Sequence, residues 1–291
     1  MTYTIENKHI TASIKSLGAE LTSLKSKETE IEYIWNGDKE YWGRHAPVLF
    51  PIVGQVKDKT YFVEGKKYEL PQHGFARDTE FKVVNQQTNQ ITFELVFSEK
   101  TLKIYPYKFA LRVSYKVEAN ELTTVYEVIN KDSKNISYSI GGHPAFNCPI
   151  TKDELFEDYT LEFDHHEEPK QIHLNTLTGL RNGKITQENI GKSIPLNYGL
   201  FKNDAVIYTN LKSKKVTLKS NKSTFKVIFD FEQWDYLAFW TKKKGTPFVC
   251  IEPWLGITDA DNSDQHFHSK LGIQELKVNS TKITEYKIKV S

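Results

Sequence analysis

The sequence predicts an all-β fold, a large and mostly antiparallel sandwich. Two observations carry this prediction. Apolar and polar residues alternate with period two in run after run, and no stretch shows the repeat of a long amphipathic helix. Aromatic residues are also abundant: the 291 residues include 15 Tyr, 17 Phe and 5 Trp, against 1 Met and 2 Cys. Such rings pack well on a pleated, half-buried surface.

In chain order, the alternating runs are Thr11–Leu17, Gln90–Phe97, Leu111–Val117, Lys215–Ser220, Thr224–Phe231 and Ile283–Val290. Each is rich in β-branched and aromatic residues, as half-buried strands are. The breakers Asn36-Gly37-Asp38, Glu64-Gly65-Lys66, Glu118-Ala119-Asn120 and Arg181-Asn182-Gly183 separate strands. Asp38–Trp42 and Thr151–Tyr159 are each predicted as a short helix. The stretches near residues 40–60, 141–157, 174–205 and 252–270 are expected to be loops over one face, where site residues concentrate. No Pro/Ser/Gly-rich linker interrupts the strand signals, and no repeat of about 20–50 residues is present. Residues 1–291 are therefore expected to form a single domain.

Composition excludes several functions. The net charge is 39 − 37 = +2 with both signs interspersed, so there is no clustered basic face for nucleic acid. Lys242-Lys243-Lys244 reads as a solvated turn. No apolar run approaches the roughly 18 residues of a membrane span; the longest, Ala46–Gly54, carries two prolines. The N-terminus lacks the basic-then-apolar layout of a signal peptide, and a cytoplasmic location is expected. Cys148 and Cys250 do not make a disulfide framework.

Four segments place ionisable residues in apolar or glycine-rich surroundings. Pro71–Asp78 holds His73 before a glycine and Arg77 four residues on; a loop role and a site role are both open. In Ser139–Asn147, His143 follows two glycines and precedes Pro144, which restricts its backbone. A histidine held this way suits a general acid near neutral pH, or caps a turn. In Pro247–Trp254, Glu252 ends an apolar run. Such a setting raises a carboxyl pKa, unless a lysine or arginine pairs with it. Asp204 opens a short apolar strand in Leu200–Ile207 and is a turn residue or a ligand-binding carboxylate.

Metal and cofactor signals are weak. His266-Phe267-His268 has the spacing that puts two rings on one strand face, and His165-His166 is a pair. Neither comes with a cysteine cluster or a His-Glu-x-x-His helix. There is no phosphate loop, dinucleotide fingerprint or nucleophile elbow. No metal and no cofactor are expected, and the cysteines are expected to pack beside the site rather than react.

The order His73-Gly74, then Gly141-Gly142-His143-Pro144-Ala145-Phe146-Asn147, then Asp204, then Glu252-Pro253 is similar to the aldose 1-epimerase (galactose mutarotase) family. Leu17–Leu24 resembles that family's opening hairpin, and Tyr61–Phe75 its strand-turn-strand leading to the first histidine. The resemblance spans nearly the whole chain and looks like a divergent bacterial branch. It implies the large antiparallel β-supersandwich of the galactose mutarotase type. It also implies that Glu252 is the general base at the C1 hydroxyl and His143 the general acid at the ring oxygen. His73 would hydrogen-bond near that oxygen, and Asp204 would hold hydroxyls. Ring opening needs one proton removed and one delivered, so the acid and base are expected to flank the hemiacetal from opposite sides. Trp254 and Trp42 are candidate faces for the ring, and Phe75 and Phe146 further candidate walls.

One departure stands out. The family's Gly-Arg-x-x-Asn-Arg stretch is replaced here by Phe50–Asp58. Gln55, Lys57 and Arg77 are the candidates to replace its arginine, and Arg77 is counted with the substrate-binding residues. A cation there also suits a phosphorylated sugar. The resemblance implies a small-molecule sugar substrate and a monomer or homodimer. Competing readings are a hexose-6-phosphate 1-epimerase, a non-catalytic carbohydrate-binding sandwich, and a metal enzyme using His73, His143 and Glu252.

Overall fold

Alternation in the sequence becomes two stacked sheets. A computed structural model describes residues 1–291. One sheet has nine strands in the order Gly191–Pro195, Tyr159–Glu167, Lys215–Ser220, Lys226–Asp230, Thr281–Val290, Glu121–Asn130, Phe109–Glu118, Gln90–Val96 and Lys82–Gln86. The second, of eight strands, runs Arg181–Gln187, Lys170–Leu174, Val206–Thr209, Tyr236–Trp240, Phe248–Leu255, Ile140–Gly142 and Val48–Leu49, with Ala145–Asn147 also paired to Phe248–Leu255. Thr2–Glu6, Ile10–Lys15 and Glu20–Ser26 make a three-stranded sheet. Every ladder between these strands is antiparallel.

Period two gives each strand one apolar face. Glu121–Asn130 is the clearest case, with every second residue buried. These faces meet in one cluster of 64 buried apolar residues. Ring pairs join the two large sheets: Phe146 lies on Phe229 and Phe163 on Phe239, with centroids 6.1 and 6.2 Å apart. Phe75 packs against Phe50, Tyr105 and Phe109. Phe75 and Phe146 are therefore core residues, not cleft walls.

The predicted helices shrink or vanish. Asp38–Trp42 is a turn, and Thr151–Tyr159 contains only the 3-10 turn Phe156–Asp158. The one α-helix is Glu99–Leu102, and no helix is long and apolar enough to cross a membrane. The 174–205 stretch holds the strands Arg181–Gln187 and Gly191–Pro195, so Arg181-Asn182-Gly183 is strand rather than breaker. Turn residues deceive there because this is a sheet edge, where only one side must pair. His266 precedes and His268 lies within the 3-10 turn Phe267–Ser269, so the two do not share a strand face.

Candidate active site

The strand Phe248–Leu255 is buried at every position, which is why it reads as an unbroken apolar run. Val249, Ile251 and Leu255 face the large core. Phe248, Cys250, Glu252 and Trp254 face the other side, where two small satellite clusters lie. Glu252 thus sits inside a strand rather than at its end. Ala238 is its partner on one side, and Ile207 is Ala238's partner beyond.

On the other side, Gly141 pairs with Trp254 and Ala145 with Cys250. Stepping two residues in from either pair sets His143 opposite Glu252. Two prolines open the ladder at this spot. Pro144 has no N–H, and its carbonyl accepts from Ile251. Pro253, two residues after Ile251, aims its missing N–H to the same side. Gly141 is required here, since a Cβ would lie 2.7 Å from Cδ1 of Trp254.

His143 Nε2 lies 3.2 Å from Glu252 Oε2, with both side chains almost wholly buried. The acid and base candidates are therefore neighbours in one row, not groups on opposite sides of a site. Trp42 stacks on the His143 ring at 4.9 Å, and Trp240 and His73 meet it edge-on at 5.8 and 5.7 Å. Glu252 Oε2, His143 Nδ1 and Trp254 Nε1 are buried and make no hydrogen bond within the protein. Three such atoms gathered in one place call for a bound group or a catalytic role to account for them.

No lysine or arginine pairs with Glu252. Burial pushes its carboxyl well above the usual range, and the Asp204 carboxylate adds to the shift. The Trp254 indole N–H, near but short of a formed hydrogen bond, opposes it. Burial also drives His143 down to about 3, partly opposed by its own backbone and reinforced by Arg77 and Arg44. Both groups therefore favour the uncharged form, with the proton of the pair resting on the Glu252 carboxyl.

His73 occupies the left-handed region at φ 63°, and Gly74 follows at φ 71°. A Cβ on Gly74 would lie 2.2 Å from the Phe50 carbonyl oxygen, so the His-Gly pair is a conformational requirement. The Gly54 N–H donates to His73 Nδ1 at 3.1 Å. That nitrogen must be unprotonated, which leaves Nε2–H as the donor. Burial lowers the His73 pKa well below its usual value, with His143, Arg77 and Arg44 adding to the effect.

Arg77 donates to the Gln72 carbonyl at 2.6 Å and lies 3.6 Å from Asp78. Its buried Nε has no hydrogen-bond partner, and burial lowers its pKa to about 10. Asp204 sits at φ 79° just before Val206–Thr209, exposed, with Oδ1 accepting from the Ala205 N–H. Gln55 donates to the Thr178 carbonyl.

One cleft of about 290 Å³ is lined by all five sequence candidates: His73, Arg77, His143, Asp204 and Glu252. Gln55 joins Arg77 there, and Lys57 does not. Trp42, Trp240 and Trp254 supply apolar wall. Trp240 and Thr258 were missed, since a ring ending a strand and a lone threonine carry no local signal. Donor atoms of His143, Cys250 and Glu252 lie within 4.8 Å of one another. Burial raises the Cys250 thiol well above its usual pKa, whereas metal ligation needs the thiolate. This trio, with Cys250 in place of His73, is a poor donor set for a metal.

The aldose 1-epimerase family profile matches residues 1–274. Chromosomal protein LacX of Lactococcus lactis subsp. lactis is 37% identical over 267 residues, covering 89% of each chain. A crystal structure of a galactose mutarotase related enzyme from Lactobacillus acidophilus superposes with a TM-score of 0.96 at 37% identity, over 100% of this chain and 97% of that one. A galactose mutarotase-like protein from Lactobacillus casei gives 0.94 at 34% identity, with full coverage of both chains. The fold is thus the antiparallel sandwich of the galactose mutarotase type.

Proposed function

The chain belongs to the aldose 1-epimerase family, and on that premise we propose that it interconverts the α and β anomers of an aldose. The observation that carries this reading is the buried His143–Glu252 pair, 3.2 Å apart, with unpartnered polar atoms facing a sugar-sized cleft. The two oxygens that exchange protons in ring opening, the C1 hydroxyl and the ring oxygen, are bonded to the same carbon. A side-by-side acid and base address such a geminal pair from one face. The pair starts uncharged, so Glu252 first passes its proton to His143. The resulting carboxylate takes the hydroxyl proton while the resulting imidazolium protonates the ring oxygen, which returns both groups to the uncharged form. C1 turns in the open aldehyde, and the roles reverse on closure. His73, held as an Nε2–H donor, hydrogen-bonds near the ring oxygen. Asp204 accepts from hydroxyls, and the indoles cover the apolar face. Arg77 favours an electron-rich or phosphorylated substituent.

The test is polarimetry, or a coupled dehydrogenase assay, on freshly dissolved single anomers of free and phosphorylated aldoses. Acceleration over buffer is expected with at least one sugar. No acceleration across the series would leave a sugar-binding sandwich as the reading. Asp204→Ala is expected to raise KM about tenfold, the loss of one charge-assisted hydrogen bond. An unchanged KM removes Asp204 from sugar binding.

A further inference from the structure

Behind the cleft wall lies a buried ion pair that the proposed chemistry does not use. Lys270 Nζ is 2.8 Å from Asp259 Oδ1, with side-chain exposures of 3% and 4%. Neither residue lines the cleft. Lys270 also donates to the Ile257 carbonyl. The other Asp259 oxygen accepts from the Lys57 N–H at 3.0 Å and from the Ser263 hydroxyl at 3.2 Å.

Three cleft segments meet at this pair. The Asp259 N–H donates to the Gln55 carbonyl at 2.9 Å, and the Gln55 N–H donates to the Thr258 hydroxyl at 3.0 Å. That hydroxyl lies 3.1 Å from the Gly179 carbonyl, and Arg181 donates to the carbonyls of Thr258 and Asp259. The segment 54–57 is thereby clamped on one side by residues 258–259. On its other side it holds His73: the Gly54 N–H reaches Nδ1 at 3.1 Å, and the Gly54 carbonyl accepts from the His73 N–H at 2.7 Å.

We propose that Asp259 and Lys270 are positioning residues that hold segment 54–57 so that the Gly54 N–H fixes His73 as the Nε2–H tautomer. A carboxylate is needed because it must accept from Lys57, Ser263 and Lys270 together, which only an acceptor with several lone pairs does. A buried cation is needed because that carboxylate would otherwise be unpaired in a low-dielectric wall. The role in turnover rests on the anomerase reading above; the tautomer itself does not.

The tautomer is measured first on the unaltered full-length chain. In 15N NMR, His73 is expected to show a bare Nδ1 and a protonated Nε2. A protonated Nδ1 overturns the proposal whether or not the chain accelerates any sugar. The second arm is the volume-conserving double variant Asp259→Asn/Lys270→Met. Its His73 is expected to populate both tautomers, with kcat falling about 10–100-fold, the usual size of an outer-shell effect, and KM moving less than threefold. A His73 that keeps its tautomer and kcat per folded molecule, while only Tm falls, reduces the pair to a structural staple and overturns the proposal. If the double variant does not fold, Ser263→Ala, which removes one hydrogen bond to the Asp259 carboxylate, is read by the same two measurements with the same deciding outcomes.

Discussion

Glu252 and His143 are held in the same low-dielectric row, and burial moves their pKa values in opposite directions, the carboxyl up and the imidazole down. Glu252→Gln and His143→Asn are each expected to lower kcat by about 10²–10⁴-fold, the contribution of one positioned proton transfer. A variant with unaltered kcat takes that residue out of the mechanism. The same burial predicts opposite effects on stability. The Glu252 carboxyl binds its proton more tightly folded than unfolded. Its contribution is thus greatest below its ordinary value and is lost as pH rises toward the raised one. Glu252→Gln is expected to melt higher than the parent at pH 7, with the difference closing in acid. His143 behaves in reverse. Its contribution is complete above 6.5 and lost as pH falls through about 3. His143→Asn is expected to flatten the acid side of a Tm-against-pH curve, and parallel curves would contradict the assignment. Residue types in motifs were legible here: His73, His143, Asp204 and Glu252 could be singled out along the chain. Their contact distances were not.

Local periodicity specified the elements that lie between two partners. Lys215–Ser220 was readable to the residue because both its neighbours and its core face constrain it. Arg181–Gln187 was not, because an edge strand with an exposed face tolerates Asn and Gly. The His73 loop depends on backbone sterics rather than on pattern. Gly74→Ala puts a side chain at φ 71° and against the Phe50 carbonyl. The dihedral alone costs about 1–3 kcal/mol, and the clash displaces the adjacent His73. Calorimetry should show a lower Tm together with a lower kcat. A variant that loses stability but keeps full turnover would mean that the loop does not set His73.

Across the whole molecule, the last strand is an interior member of the larger sheet. Thr281–Val290 lies in the interior of the nine-stranded sheet, between Lys226–Asp230 and Glu121–Asn130. Deleting residues 281–291 removes both ladders and uncovers two strand edges, and circular dichroism of the truncated chain should show no cooperative melting transition. A cooperative transition near the parent Tm would show that this strand is dispensable. The sequence by itself determined the fold class, because period two and abundant rings can bury only a pleated face. It singled out the ionisable side chains that meet in the cleft, because their type is local information. Only the tertiary structure decided which strand lies alongside, and so that His143 stands opposite Glu252, that Trp42 stacks on it, and that Asp259 and Lys270 back the wall. Register between segments a hundred residues apart is set by the joint packing of two sheets, and no local pattern encodes it.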